Sequence, residues 1–406
     1  MPVTRENSRE LRFAATLSGV ITLRMLGLFL ILPVFMILAE GMPGFTPQAA
    51  GLAIGIYGLT QAILQQPFGW LSDRWGRKPV LLLGLCLFAL GGVVAALAET
   101  MTMLIAGRAL QGCGAIAGVA MALAADLTRP ERRPVIMAII GIGIGGAFLL
   151  SMGLSVPLAT LLGLRGLFWL TVVFAISGML LVITLPGRQE IEMMQLDPDS
   201  DAGRSSEAEE TRGSSAFSRP VWLLSISVFL LHSVMTLLFV ALPPMLVGEF
   251  GFNLAEHWKI YLPAMLGSII FMLPILKRVG ANLSERRLLP WAFLILALAV
   301  GVLTVSANLA ALGVLLAIYF LGFNLLEASM PSLLSRITGS RGRGRRLGVY
   351  STFQFLGAFF GGVTGGWMLS SFGSETALFV ASATCLLWGL VLKLSSAGVF
   401  PTGETR

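Results

Sequence analysis

Between two long apolar runs, the stretch "GWLSDRWGRKPVL" (residues 69–81) places Asp73, Arg74, Arg77 and Lys78 within six positions. Charges crowded this closely can pair one chain segment with another, or mark one side of a bilayer by an excess of cations. Elsewhere ionisable groups stand singly among apolar residues. Glu327 lies in "GFNLLEASMP", with Asn324 three residues earlier on the same helical face and Pro331 four residues later. An acid held away from water exchanges its proton near neutral pH, which suits a proton carrier. The same placement suits a hydrogen-bonded structural acid. His232, in "FLLHSVMTLLF", is open to the same two readings, packed residue or proton group. Arg24 and Arg108 fall inside apolar runs. An arginine at bilayer depth costs at least about 2.5–3.5 kcal/mol to insert, so it needs a cavity or a partner. Gln61, Gln111, Asn324 and Gln354 are polar groups inside such runs, suited either to lining a cavity or to bonding helices together.

No nucleophile–base or metal constellation accompanies these groups. The two histidines are isolated, and the Arg-rich "GSRGRGRRLG" lacks the Lys-Ser/Thr end of a phosphate-binding loop. An enzyme and an ATP-driven pump are therefore not expected, nor is a cofactor or metal. Cys86, Cys113 and Cys385 lie in apolar segments without CxxC spacing and read as packing residues.

The elements that must position these groups are membrane helices. Of 406 residues, 56% are hydrophobic and only 12% are Asp, Glu, Lys or Arg, with mean hydropathy +0.85. That is about half the charge of an average globular chain. Apolar runs of some 20 residues recur throughout, long enough to cross roughly 30 Å of hydrocarbon. Ten-residue alternating patterns are absent, which argues against an outer-membrane barrel. The 47 glycines fit closely packed membrane helices. The net charge of +7 sits in short loops between spans, so nucleic acid is not an expected partner. The first apolar run is long and lacks a small-residue cleavage pattern, so no cleavable signal peptide is expected.

Twelve spans are predicted, at about 12–38, 49–70, 79–98, 101–127, 134–163, 166–186, 220–247, 255–277, 287–307, 309–336, 346–371 and 376–396. Between the sixth and seventh lies a Ser-, Gly- and Glu-rich stretch without apolar periodicity. The expected organisation is a six-helix half (1–186), a cytoplasmic linker (187–219) and a second half (220–406). Of the 28 Lys and Arg residues, Arg165 and Lys259 alone fall in one set of loops, and Arg24 and Arg108 fall within spans. All others lie in the opposite loops, the linker and the tails. By the positive-inside rule both termini and the linker are cytoplasmic.

Two motifs then carry a resemblance. Gly69, Leu71, Asp73, Arg74, Gly76, Arg77 and Lys78 stand as in the signature Gly-x-Leu-x-Asp-Arg-x-Gly-Arg-Lys of the major facilitator superfamily, in the loop after span two. "GRALQGCGAI" in span four, with Arg108, Gln111 and Gly112, resembles a second signature of that family. The resemblance covers essentially the entire chain. It implies an all-α membrane protein of the major facilitator fold, its twelve helices in two six-helix halves. "IGIYGLTQAILQQPFGWLSDRWGRKP" and "FNLLEASMPSLLS" carry a closer likeness, to a bacterial inner-membrane member of the drug–proton antiporter-like branch. That member has a soluble domain after its last helix. This chain ends about ten residues after its last span, and the domain is expected to be absent.

The resemblance also implies a latch. The family's Asp, here Asp73, sits against the start of span eleven near Gly348, and the motif's second Arg, here Arg77, meets an acid at the end of span four, here Asp126. Gly69 would allow close helix contact and Gly76 a tight turn. The latch would stabilise the outward-open state and break on rocking; the alternative is a solvated positive loop. Arg24 and Arg108 would face the central cavity, since spans one and four line it in the family. Asp126 rivals Glu327 as proton site.

The antiporters' Gly-Pro signature in span five is degraded here, because Pro157 follows Val156, and span one offers Arg24 in place of an acid. The expected function is secondary active transport by alternating access, with proton-coupled efflux of small amphipathic compounds or drugs across the bacterial inner membrane. The protein is expected to act as a monomer, with its substrate, protons and the lipid bilayer as partners. The alternatives are a proton-coupled or facilitated transporter of an anionic or neutral metabolite, and a channel or transport-inactive sensor.

Overall fold

The computed structural model describes residues 5–129, 132–187, 218–278, 285–305, 308–337 and 343–395; almost all of the expected linker lies outside them. The described residues form helices and no strand. In chain order these are α1 (Arg5–Phe29), α2 (Phe35–Ala39), α3 (Pro47–Trp75), α4 (Arg77–Ala96), α5 (Met101–Gly112), α6 (Ala117–Asp126) and α7 (Arg133–Ile183). After the linker come α8 (Arg219–Gly248), a 3₁₀ turn (Leu254–Glu256), α9 (Trp258–Arg278), α10 (Glu285–Leu303), α11 (Leu309–Ile337) and α12 (Arg343–Ser395).

The helices are consistent with the twelve spans, with two kinds of departure. α7 and α12, of 51 and 53 residues, each comprise two spans turned at a glycine of positive φ: Gly163 at 64° and Gly373 at 83°. Conversely, two expected spans are broken. The first divides into α1 and α2 around Pro33, whose missing N–H and ring disfavour a continuous helix. The fourth divides into α5 and α6 at residues 113–116, which include Gly114. Non-helical backbone at membrane depth must find other hydrogen-bond partners.

Packing resolves two compact units. The first comprises Met1–Pro33 with Leu59–Glu210, the second Val34–Gly58 with Thr211–Arg406. The first unit's core brings Leu17, Val20 and Ile21 of α1 together with Leu81 and Leu85 of α4 and Val119 and Leu123 of α6. In the second unit α8 is the central element, buried along most of its length and packed on α12.

The second unit also takes in residues 34–58, which the six-plus-six division assigns to the first half. The reason is a close approach of backbones. A Cβ at Gly51 would lie 2.3 Å from Gly362 O, and one at Gly362 would lie 2.6 Å from Gly51 O. Only residues without side chains permit this contact between the start of α3 and the part of α12 before its turn at Gly373. Gln48 Nε2 donates to Ser370 Oγ beside it.

Candidate functional site

The charged turn is built from the end of α3 and the start of α4. Gly76, at φ 94°, reverses the chain between them, a conformation that L side chains rarely adopt. The turn brings Arg77 back over the last turn of α3 and across to the end of α6. Arg77 Nε donates to Asp126 Oδ2 at 2.9 Å, and its Nη1 donates to Asp73 Oδ1 and, at 2.7 Å, to Ser72 Oγ. Ser72 Oγ donates in turn to Gly69 O at 2.7 Å. The guanidinium thus joins two carboxylates and, through Ser72, the Gly69 carbonyl of α3. Asp73 remains the open member, its side chain 65% exposed. Arg74 lies over the Trp70 ring, 4.0 Å from its centroid.

Lys78 has a definite task beyond marking a membrane side. Its Nζ donates to Ile183 O at 2.7 Å and to Leu185 O at 2.6 Å, capping the C-terminal carbonyls of α7 with a cation. Among the described residues, nothing lies within 4 Å of where a Cβ at Gly69 would sit. The tight glycine contact of α3 is instead at Gly51.

The two intramembrane arginines are interior groups of the first unit. Arg24 is 2% exposed; its Nη2 donates to Gln61 Oε1 at 2.7 Å and to Gly114 O at 2.9 Å. In the break between α5 and α6, Gly114 O accepts both from Ile116 N–H at 2.9 Å and from Arg24. Phe88 lies beneath the guanidinium. Arg108 is 3% exposed and donates to Gln111 Oε1 at 2.9 Å, while Gln111 Nε2 donates to Thr171 Oγ1 at 3.0 Å. Arg24, Gln61, Arg108 and Gln111 are thus bonded among themselves and to backbone.

In the second unit, three residues singled out separately in the sequence converge from three helices. Gln354 of α12 donates from Nε2 to Glu327 Oε1 of α11 at 3.1 Å, and the same nitrogen lies 2.9 Å from Nε2 of His232 on α8. An amide nitrogen only donates, so His232 Nε2 accepts. His232 Nδ1 faces Val228 O at 3.1 Å and therefore carries the proton. The imidazole is neutral in this arrangement. Among the described residues Glu327 Oε2 makes no hydrogen bond, and it stands 3.8 Å from His232 Nε2. The Tyr350 hydroxyl, one turn before Gln354, is buried within electrostatic reach of Glu327. Asn324 turns to α9 and donates to Ser268 Oγ at 2.9 Å.

Ser72, Thr171 and Tyr350 were not anticipated. Tyr350 carried a usable signal, its spacing of four residues from Gln354 on one helix face. Thr171 carried none. Among the described residues, no three His, Cys, Asp or Glu side chains group as metal ligands would.

The Major Facilitator Superfamily is matched over residues 17–334 and again over 224–399. The inner membrane transport protein YajR of Escherichia coli K12 is 37% identical over 381 residues, covering 93% of this chain and 82% of that protein. Multidrug resistance protein 1 of Bacillus subtilis is 24% identical over 378 residues, covering 91% of this chain and 92% of that protein. Among solved structures, a bacterial homologue of the human lysosomal transporter Spinster shares the fold at TM-score 0.75. It has 15% identity and 99% coverage of both chains.

Proposed function

Because the chain belongs to the major facilitator superfamily, a family of membrane transporters, we propose that it is a proton-coupled secondary transporter whose proton is carried by Glu327 with His232. One observation carries the reading: Gln354 holds a carboxylate and a neutral imidazole by its two amide protons, with a free carboxylate oxygen 3.8 Å from the ring. The cluster has a second stable arrangement. A proton arriving at His232 Nε2 removes the acceptor that Gln354 uses and turns the ring towards Glu327 Oε2 as a donor. Protonation at Glu327 removes the negative charge from the Gln354 contact. The first event breaks and the second weakens a bond between α8, α11 and α12, so proton uptake acts directly on helix packing. Asp126 is the rival site; its pairing with Arg77 supports a part in the conformational latch with Asp73 instead.

The cargo is a small amphipathic compound moved outward through the bacterial inner membrane by alternating access of the halves 1–186 and 220–406. Support comes from the name of the Bacillus subtilis relative and from the Phe-, Met- and Leu-rich helices. A second reading, transport of an anionic or neutral metabolite, is favoured by Pro157 lacking the preceding Gly of the antiporter signature. Proteoliposomes test the reading: cargo flux driven by an imposed pH gradient in the native protein, against Glu327→Gln. Gradient-independent flux in the native protein would refute proton coupling, and unchanged coupling in the variant would exclude Glu327.

A further inference from the structure

The Glu327–Gln354–His232 cluster has fewer donors than its carboxylate can use. Gln354 has two amide protons, one donated to Glu327 Oε1 and the other directed at His232 Nε2. The Nδ1 proton of His232 goes to Val228 O. None is left for Glu327 Oε2, which is enclosed and has no hydrogen bond among the described residues. One turn before Gln354 on α12, the Tyr350 hydroxyl is a donor in the same condition. Its residue is 3% exposed, and the hydroxyl has no hydrogen bond among the described residues. It lies within electrostatic reach of Glu327. Tyr350 stands four residues before Gln354, which is bonded to the other carboxylate oxygen, so the two share one helix face. An interior acceptor lacking a donor and an interior donor lacking an acceptor thus belong to neighbouring groups.

We propose that Tyr350 is a further positioning residue of this cluster, its hydroxyl supplying the hydrogen bond that holds Glu327 in its ionised form. The two groups make no direct bond in this arrangement, so a single water carries it, accepting from the hydroxyl and donating to Oε2. Two polar partners are enough to hold a buried water. A hydrogen bond to an ionised acceptor is the stronger one, so the contact favours the carboxylate over the acid. The other groups facing Glu327 leave Tyr350 this task. From α8 the facing group is His232, whose Nε2 already accepts from Gln354. Near it on α11, α9 brings Met265 and Ser268 to Asn324, and α10 brings Ala292 and Leu296 to Gly322; none of these ionises. On α12, Arg346 is buried one turn before Tyr350 on the same face, and Cys385 lies near Tyr319, about two turns before Glu327. The place of this contact in transport rests on Glu327 as the proton carrier; the contact itself does not.

Glu327 can be read directly, without cargo. The full chain in lipid vesicles is titrated by infrared difference spectroscopy, following the carboxylic-acid carbonyl band that Glu327→Gln removes. Tyr350→Phe keeps the ring and deletes only the oxygen, and its thermal midpoint is expected to stay near native. Glu327 in that variant is expected to take up its proton at a pH higher by about one unit, because the ionised form has lost a hydrogen bond. Tyr319→Phe is the control. It removes a hydroxyl that is also buried and without a hydrogen bond among the described residues, but that lies near Cys385, and it is expected to leave the Glu327 midpoint in place. A Glu327 midpoint unmoved or lowered in Tyr350→Phe, an equal shift in Tyr319→Phe, or no band removed by Glu327→Gln would overturn the proposal. Cargo flux is a separate readout: the expected Glu327 shift together with flux indifferent to a pH gradient would uphold the Tyr350–Glu327 contact and remove Glu327 as the carrier.

Discussion

Arg24 donates to the carbonyl oxygen of Gly114 across 90 residues of sequence, at 2.9 Å, in the interior of the first unit. The carbonyl lies in the break of span four, where it also accepts from Ile116 N–H at 2.9 Å. Arg24→Met removes the donor to Gly114 O and to Gln61 Oε1 together. Gly114 O keeps its bond from Ile116 N–H, whereas Gln61 Oε1 loses its donor, and a buried acceptor left unsatisfied costs about 1–3 kcal/mol. The expected outcome is a lowered thermal midpoint in detergent, with Arg24→Lys falling between because one ammonium replaces the two-pronged contact. A midpoint unchanged in Arg24→Met would show that the contact contributes nothing to the fold.

The Arg77–Asp126 pair predicts a different pattern. Its side chains are 22% and 35% exposed, so the pair adds at most about 1 kcal/mol to stability. Arg77→Ala, Asp126→Asn and Asp73→Asn are each expected to leave membrane insertion and thermal midpoint near native while abolishing transport. Transport at native rates and matched expression in Asp73→Asn would remove the latch from the account.

Close packing of α3 on α12 gives a prediction about backbone contact. A Cβ at Gly362 would meet Gly51 O at 2.6 Å and Gly55 N at 2.9 Å, atoms that cannot yield as a flexible side chain does. Gln48→Cys with Ser370→Cys is expected to form a disulfide readily in the native background. Adding Gly362→Val is expected to suppress that cross-link by separating the helices.

Orientation yields a simple check. The distribution of Arg and Lys predicts that reporters fused at either terminus are active in the cytoplasm and silent outside. Activity outside at either end would reverse the assignment.

Much of the architecture was legible because hydrophobic length and loop charge are properties of the chain itself. The apolar runs gave the spans; the turn at Gly163 falls on the last residue of the expected fifth span, and the turn at Gly373 between the last two. The Arg77–Asp126 contact was legible through a motif. The break at Gly114 was not, because the apolar composition of residues 101–127 is continuous, and the bond that stabilises the break comes from Arg24 on another helix. The same limit hid the tight glycine contact: Gly69 and Gly51 look alike in sequence, and only the facing backbone of α12 distinguishes them. Glu327, His232 and Gln354 were each visible as polar residues in apolar runs. Their meeting depended on how α8, α11 and α12 turn about their axes, which no single helix specifies.

The central claim is that proton binding at the Glu327–Gln354–His232 cluster drives transport, and one measurement reaches it most directly. Native protein and Glu327→Gln are compared in proteoliposomes for cargo exchange at equal pH and for uphill movement under a pH gradient. The account predicts that Glu327→Gln retains exchange, since alternating access survives, and loses gradient-driven accumulation altogether. Accumulation by Glu327→Gln equal to that of the native protein would contradict it.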